Sequence, residues 1–142
     1  MSRIRVVALA VLADPATGAL FVDESTDPST GRSFHRPPGG EVEFGESAAE
    51  AIARELDEEY GLAVSVGRRL GALENRFVLD GKPGHEIVLV HEVELDGTAA
   101  PRDGTPCRDQ DGVVGVWRPR QEAEVPLYPA GISGLLEGTV AE

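Results

Sequence analysis

The chain has 142 residues, 41% of them hydrophobic, which is enough for one domain with a core, spanning 1–142, and too few for two. Thirteen basic residues stand against 25 acidic ones, a net charge of -12, so the surface repels a nucleic-acid backbone and an anionic substrate needs a cation as mediator. Cys107 is the only cysteine, which excludes an intrachain disulfide and paired-thiolate metal ligation and fits a reducing cytoplasm.

Arg3-Ile4-Arg5 followed by the apolar run Val6 to Ala13 imitates a secretory signal, but the run is far too short to span a bilayer. Its β-branched and aliphatic residues, stopping at the turn Asp14-Pro15-Ala16-Thr17-Gly18, predict a buried strand instead, and no membrane association is expected. A second short strand from Ala19 to Asp23 makes an N-terminal hairpin the expectation, followed by a polar loop from Glu24 to Arg32. Phe34-His35-Arg36-Pro37-Pro38-Gly39-Gly40 reads as irregular backbone, because two prolines remove donors just before two glycines that permit close approach.

Ser47-Ala48-Ala49-Glu50 matches a capping box, and a helix is predicted from Ala48 to about Tyr60 with Gly61 as its left-handed stop. On a helical wheel Ala49, Ile52, Ala53, Leu56 and Tyr60 form the apolar stripe, with Glu55, Glu58 and Glu59 together beside it. Strands are predicted over Ala63 to Leu79 and Glu86 to Leu95, joined around Asp80-Gly81-Lys82-Pro83-Gly84 as a long hairpin. Asp96 to Gly112 reads as an exposed loop, Val113 to Trp117 as a further strand, and Ala130 to Glu137 as a short helix weakened by Gly131 and Gly134.

Three glutamates at i, i+3 and i+4 repel one another on one helix face unless something positive sits between them. Carboxylates are the natural ligands of hard cations such as Mg²⁺. From Gly40 through Leu62 there are eight carboxylates against the single base Arg54. A solvated acidic face is the competing account of such a run. It fails on placement: Glu55 and Glu59 border the apolar stripe, and the Pro-Pro-Gly-Gly stretch leads straight toward the helix.

Gly40-x5-Glu46-x7-Arg54-Glu55-Leu56-x-Glu58-Glu59-x-Gly61-Leu62 fills every defining position of the Nudix box, and the order of strands around it resembles that family over nearly the whole chain. The resemblance implies an α+β fold, an α/β/α sandwich around a mixed β-sheet. It also implies divalent-metal-dependent hydrolysis of a nucleoside diphosphate linked to another moiety, with Mg²⁺ or Mn²⁺ as cofactor. By motif position Glu55, Glu58 and Glu59 are the expected metal ligands with the Gly40 carbonyl as a fourth. Arg54 orients a carboxylate, and Glu46 and Gly61 support the box. Glu55 is the first choice of general base, with Asp109 and Asp111 as loop alternatives.

The expected partner is a small nucleotide-like diphosphate substrate, not a nucleic acid; a homodimer is compatible with the sequence. A catalytically silent binding module is the alternative, although no box carboxylate is missing. An EF-hand is excluded, since the alternating Asp/Asn loop is absent. Neither the proline that marks ADP-ribose hydrolases beyond the box nor the tyrosine of dinucleoside polyphosphate hydrolases is found; Phe77 and Val78 occupy that neighbourhood. Phe34, Phe77 and Trp117 are candidates for stacking on a base, and the roles of His85 and Glu86 stay open.

Overall fold

The computed structural model describes residues 2–137. In chain order the elements are β1 (Arg5–Leu12), β2 (Leu20–Thr26), β3 (Ser33–Arg36), β4 (Gly39–Glu41), α1 (Ala48–Tyr60), β5 (Val64–Leu79), β6 (Lys82–Leu95), β7 (Thr105–Pro106), β8 (Val114–Arg118) and α2 (Ile132–Leu136). One sheet has the order β4-β1-β6-β5 and is mixed, because β1 runs parallel to β6; the other, β3-β2-β8-β7, is antiparallel.

The apolar run of β1 is continuous because both its faces are buried. Ala8, Ala10 and Leu12 join Ala51, Ile52 and Leu56 of α1 in one core, whereas Val7, Leu9 and Val11 join Ile132 and Leu136 of α2 in another. The sheet is thus sandwiched between helices, as the resemblance implied. No helix among the described residues is long and apolar enough to cross a membrane.

Two expectations are corrected here. β1 and β2 do not form a hairpin: apart from the single bridge Ala13–Leu20, each pairs inside a different sheet. Nor is the segment 34–40 wholly irregular. Phe34 to Arg36 lie in β3 and Gly39-Gly40 in β4, and the two prolines fall between them, where the chain crosses from one sheet to the other and needs no ladder donor.

The β5–β6 hairpin is longer than expected, since β6 begins at Lys82 and the turn narrows to Asp80-Gly81, with φ of 53° and 74°. Such a two-residue turn with both φ positive matches the twist of the strands. Within the predicted loop 96–112, Thr105–Pro106 adds the short edge strand β7, and α2 covers 132–136 only.

Candidate active site

Helix α1 starts as a reciprocal cap, the Glu50 N–H donating to Ser47 Oγ and the Ser47 N–H to Glu50 Oε1, and stops at Gly61 with φ of 67°. Its buried face runs through Ala48, Ala51, Ile52, Leu56, Glu59 and Tyr60. The predicted stripe was set slightly off: Ala53 is exposed and Ala49 half-buried, so the face is turned toward Glu59. A glutamate therefore sits where an apolar residue would be cheaper, and Glu59 is only 2% exposed.

Around it the side chains converge. Oxygens of Glu55, Glu58 and Asp109 lie within 4.8 Å of one another, as do ligand atoms of Glu59, Cys107 and Asp109. Burial first, then Asp23, Glu55 and Asp109, pushes the Glu59 carboxyl up to about 9. Glu59 Oε2 accepts from Gln110 Nε2 at 3.3 Å, whereas Oε1 is buried with no hydrogen-bond partner. Burial also raises Glu55.

Arg54 holds this arrangement from behind. Its guanidinium meets both oxygens of Glu46, donates to the Glu41 carbonyl, and reaches Glu58 at 3.3 Å and Glu55 at 3.5 Å. Glu46 in turn accepts the Glu43 N–H. Gly40 is pressed on the cluster: a Cβ there would fall 2.0 Å from Glu55 Oε2. Gly61 makes room for the Arg108 guanidinium, which a Cβ would meet at 2.4 Å, and the Arg108 N–H bonds the Glu59 carbonyl at 2.8 Å. That contact docks the loop carrying Asp109 onto the end of α1.

Of the anticipated residues, the structure brings together Gly40, Glu46, Arg54, Glu55, Glu58, Glu59, Gly61 and Asp109. Asp111 is exposed and outside both carboxylate groups. Trp117 is not a free stacking face: its ring packs on Phe21 at 5.3 Å and its Nε1 donates to the Pro101 carbonyl. His85 is half-buried on β6, while Glu86 is 1% exposed and receives Arg5, Arg36 and Asn75.

Sequence reasoning missed Asp23. It lies on β2, where Tyr60 donates to it and burial pushes its carboxyl up to about 6 despite Arg36 nearby. Nothing local in the strand marks it, since its partners come from α1 and β3. Also missed was a cavity of about 810 Å³ lined by Phe34, Phe77, Tyr128, Arg32, Arg36 and Asn75 among others. Arg36 belongs to this wall and pairs with Asp23 across β2 and β3, whereas Glu55, Glu58, Glu59 and Asp109 do not line the cavity.

The donor set fits a hard divalent cation. All three atoms of the Glu55–Glu58–Asp109 group are carboxylate oxygens, and the orphaned Glu59 Oε1 is a buried acceptor awaiting a positive partner.

The sequence model of the NUDIX domain family matches residues 3–136. A putative mutator protein, MutT4, of Mycobacterium tuberculosis is 40% identical over 58 residues, 41% of this chain; the match spans 23% of that relative's length. Among solved structures, the E. coli ORF135 protein is similar with a TM-score of 0.62 at 22% identity, covering 98% of this chain and 94% of its own. A MutT NUDIX hydrolase from Burkholderia pseudomallei has a TM-score of 0.62 at 20% identity, over 94% of this chain and 97% of its own. An ADP-ribose pyrophosphatase from Streptococcus suis has a TM-score of 0.62 at 16% identity, over 97% and 93%.

Proposed function

The chain belongs to the Nudix hydrolase family, and on that premise we propose that it hydrolyses a diphosphate bond in a nucleoside diphosphate linked to another moiety, with Mg²⁺ or Mn²⁺ as cofactor. The observation that carries this reading is the convergence of Glu55, Glu58 and Asp109 beside the unpartnered, buried Glu59 Oε1. These carboxylates would hold the cation, with the Gly40 backbone alongside. When bound, a divalent cation neutralises a diphosphate, polarises its phosphorus and makes water more acidic.

The chain's own groups supply the rest. Glu55, 14% exposed and raised by burial, is suited to take a proton from attacking water, and Asp109 is the loop alternative. Arg54 keeps Glu55 and Glu58 in place through its grip on Glu46. The cavity bounded by Phe34, Phe77 and Tyr128 receives the moiety beyond the diphosphate, flat rings against aromatic edges. Arg36, which also bonds the buried Glu86, lines the same cavity and would meet the anionic end. The reaction takes place in the cytoplasm, where the lone thiol stays reduced.

The test is turnover of nucleoside triphosphates, nucleotide sugars and dinucleotides with and without Mg²⁺ or Mn²⁺, run in ¹⁸O-water. One labelled oxygen is expected in a single phosphate product. Hydrolysis of no member of the panel at millimolar metal, or label in no phosphate product, would overturn the reading.

A further inference from the structure

We infer that Asn75 sets the nucleobase specificity of the cavity, and that the base it selects carries an exocyclic amine on its six-membered ring, as cytosine and adenine do. This rests on the proposed reading of the cavity as the site of the moiety beyond the diphosphate, and names the chemistry of that moiety. Asn75 and Phe77 stand two residues apart on β5, so their side chains share one face roughly 7 Å apart, and both line the cavity. A ring stacked on Phe77 thus brings its edge within reach of the Asn75 amide.

Which end of that amide faces the cavity is fixed from behind. Asn75 and Glu86 are partners across β5 and β6, and Asn75 Nδ2 donates to Glu86 Oε1 at 3.2 Å. The Glu86 carboxylate, 1% exposed and met also by Arg5 and Arg36, offers acceptors only, so the amide cannot turn its oxygen toward it. Oδ1 is left as the free end. Asn75 is only 8% exposed, and no group among the described residues donates to Oδ1. Nor is this oxygen sealed in. Among the described residues Glu59 Oε1 is the one buried side-chain atom left without a partner, so Oδ1 opens on the cavity that Asn75 lines.

A nearly buried acceptor without a donor is costly once a ligand has expelled water from around it, unless the ligand supplies the donor. An amine at the ring edge does so. A ring carbonyl at the same place sets two lone pairs against each other and is rejected, because the Glu86 carboxylate keeps the amide from flipping to suit it. Phe34, Phe77 and Tyr128 give every nucleobase a face to stack on and cannot make this distinction.

Isothermal titration of the full chain with four nucleoside monophosphates in Mg²⁺ tests this, since these have no anhydride to cleave and report binding alone. Cytidine monophosphate should bind at least about 10-fold more tightly than uridine monophosphate, and adenosine monophosphate likewise over inosine monophosphate. Asn75→Ala should bring both ratios close to one; Arg5 and Arg36 still compensate Glu86 in that variant, so the fold is kept. Glu86→Gln should invert both ratios. Its oxygen stays with the two guanidiniums and its NH₂ faces Asn75, so the Asn75 amide turns Oδ1 inward and Nδ2 to the cavity. Equal affinities within each pair, ratios unchanged by Asn75→Ala or by Glu86→Gln, or no binding of any of the four at millimolar concentration overturns the inference. A preference for the amine without hydrolysis of any diphosphate sinks the proposed function alone, and hydrolysis without such a preference sinks this inference alone.

Discussion

Arg54 grips Glu46 through two hydrogen bonds, Nε at 2.7 Å from Oε2 and Nη2 at 2.9 Å from Oε1. The same guanidinium donates to the Glu41 carbonyl and lies against Glu55 and Glu58, so one side chain joins the segment after β4 to two carboxylates of the next helix. Only the planar fork of arginine can serve both directions at once.

Arg54→Lys therefore loses the forked contact while keeping the charge. Metal affinity or activity should fall about 10- to 100-fold, as when groups that orient metal ligands are removed. Isothermal titration with Mn²⁺ measures it, and an unchanged affinity would show that Glu55 and Glu58 need no such support. Because the Arg54 contacts hold the Glu46 carboxyl down to about 2, its stabilisation is complete above the ordinary value of 4.5 and is lost as pH falls toward 2. Thermal unfolding from pH 7 down to 2 should show that loss, and Glu46→Gln should flatten it.

Glu59 has the opposite sign. Its folded-state carboxyl is raised from 4.5 to about 9, so the metal-free protein is favoured below the lower value and loses stability as pH rises toward the upper one. If Glu59 holds the proposed cation, divalent metal should restore stability, most at the alkaline end, because a cation favours the ionised carboxylate. Glu59→Gln should remove most of that pH dependence and with it the thermal response to Mn²⁺. Calorimetry between pH 5 and 9 with chelator or with Mn²⁺ decides, and a metal effect that does not grow with pH would contradict the account.

The paired glycines differ in what blocks them. A Cβ at Gly39 would lie 2.0 Å from the Ala8 carbonyl oxygen, on rigid strand backbone and at a φ of 147°, so Gly39→Ala should cost roughly 2 to 5 kcal/mol of stability. At Gly40 the obstacle is the end of the Glu55 side chain, also at 2.0 Å, which can swing away. Gly40→Ala should fold and lose turnover. Denaturation and activity measured on both variants test the contrast; equal stability losses would refute it.

Glu58→Gln keeps size and removes the charge of an exposed member of the carboxylate group, so on the proposed reading turnover should fall by orders of magnitude with the fold intact. Glu50→Gln is the control, since its side chain only returns to the Ser47 N–H. Near-normal activity of Glu58→Gln on the best substrate would remove Glu58 from the site.

In the cavity, Phe77 covers Gly84 across the hairpin and leaves its remaining surface to the pocket. Phe77→Ala should raise KM about 10-fold with kcat little changed, the mark of contacts equally strong before and during reaction. A kcat loss at unchanged KM would place Phe77 elsewhere in the mechanism.

What the sequence determined is local. The cap at Ser47 and Glu50, the stop at Gly61 and the spacing of Glu55, Glu58 and Glu59 need only a helix to acquire meaning, because a periodic segment with both ends marked has one way to fold. Beyond the β5–β6 hairpin, whose turn is written in the chain, tertiary structure decided which strands pair. A short apolar run such as β1 carries no record of whether it pairs with the next strand or, as here, with β4 and β6. For the same reason Asp23 was invisible: burial raises its carboxyl, Asp109 adds to the rise, and Tyr60 and Arg36 oppose it, and only the stacking of β2, β3, α1 and the distal loop brings these groups within range.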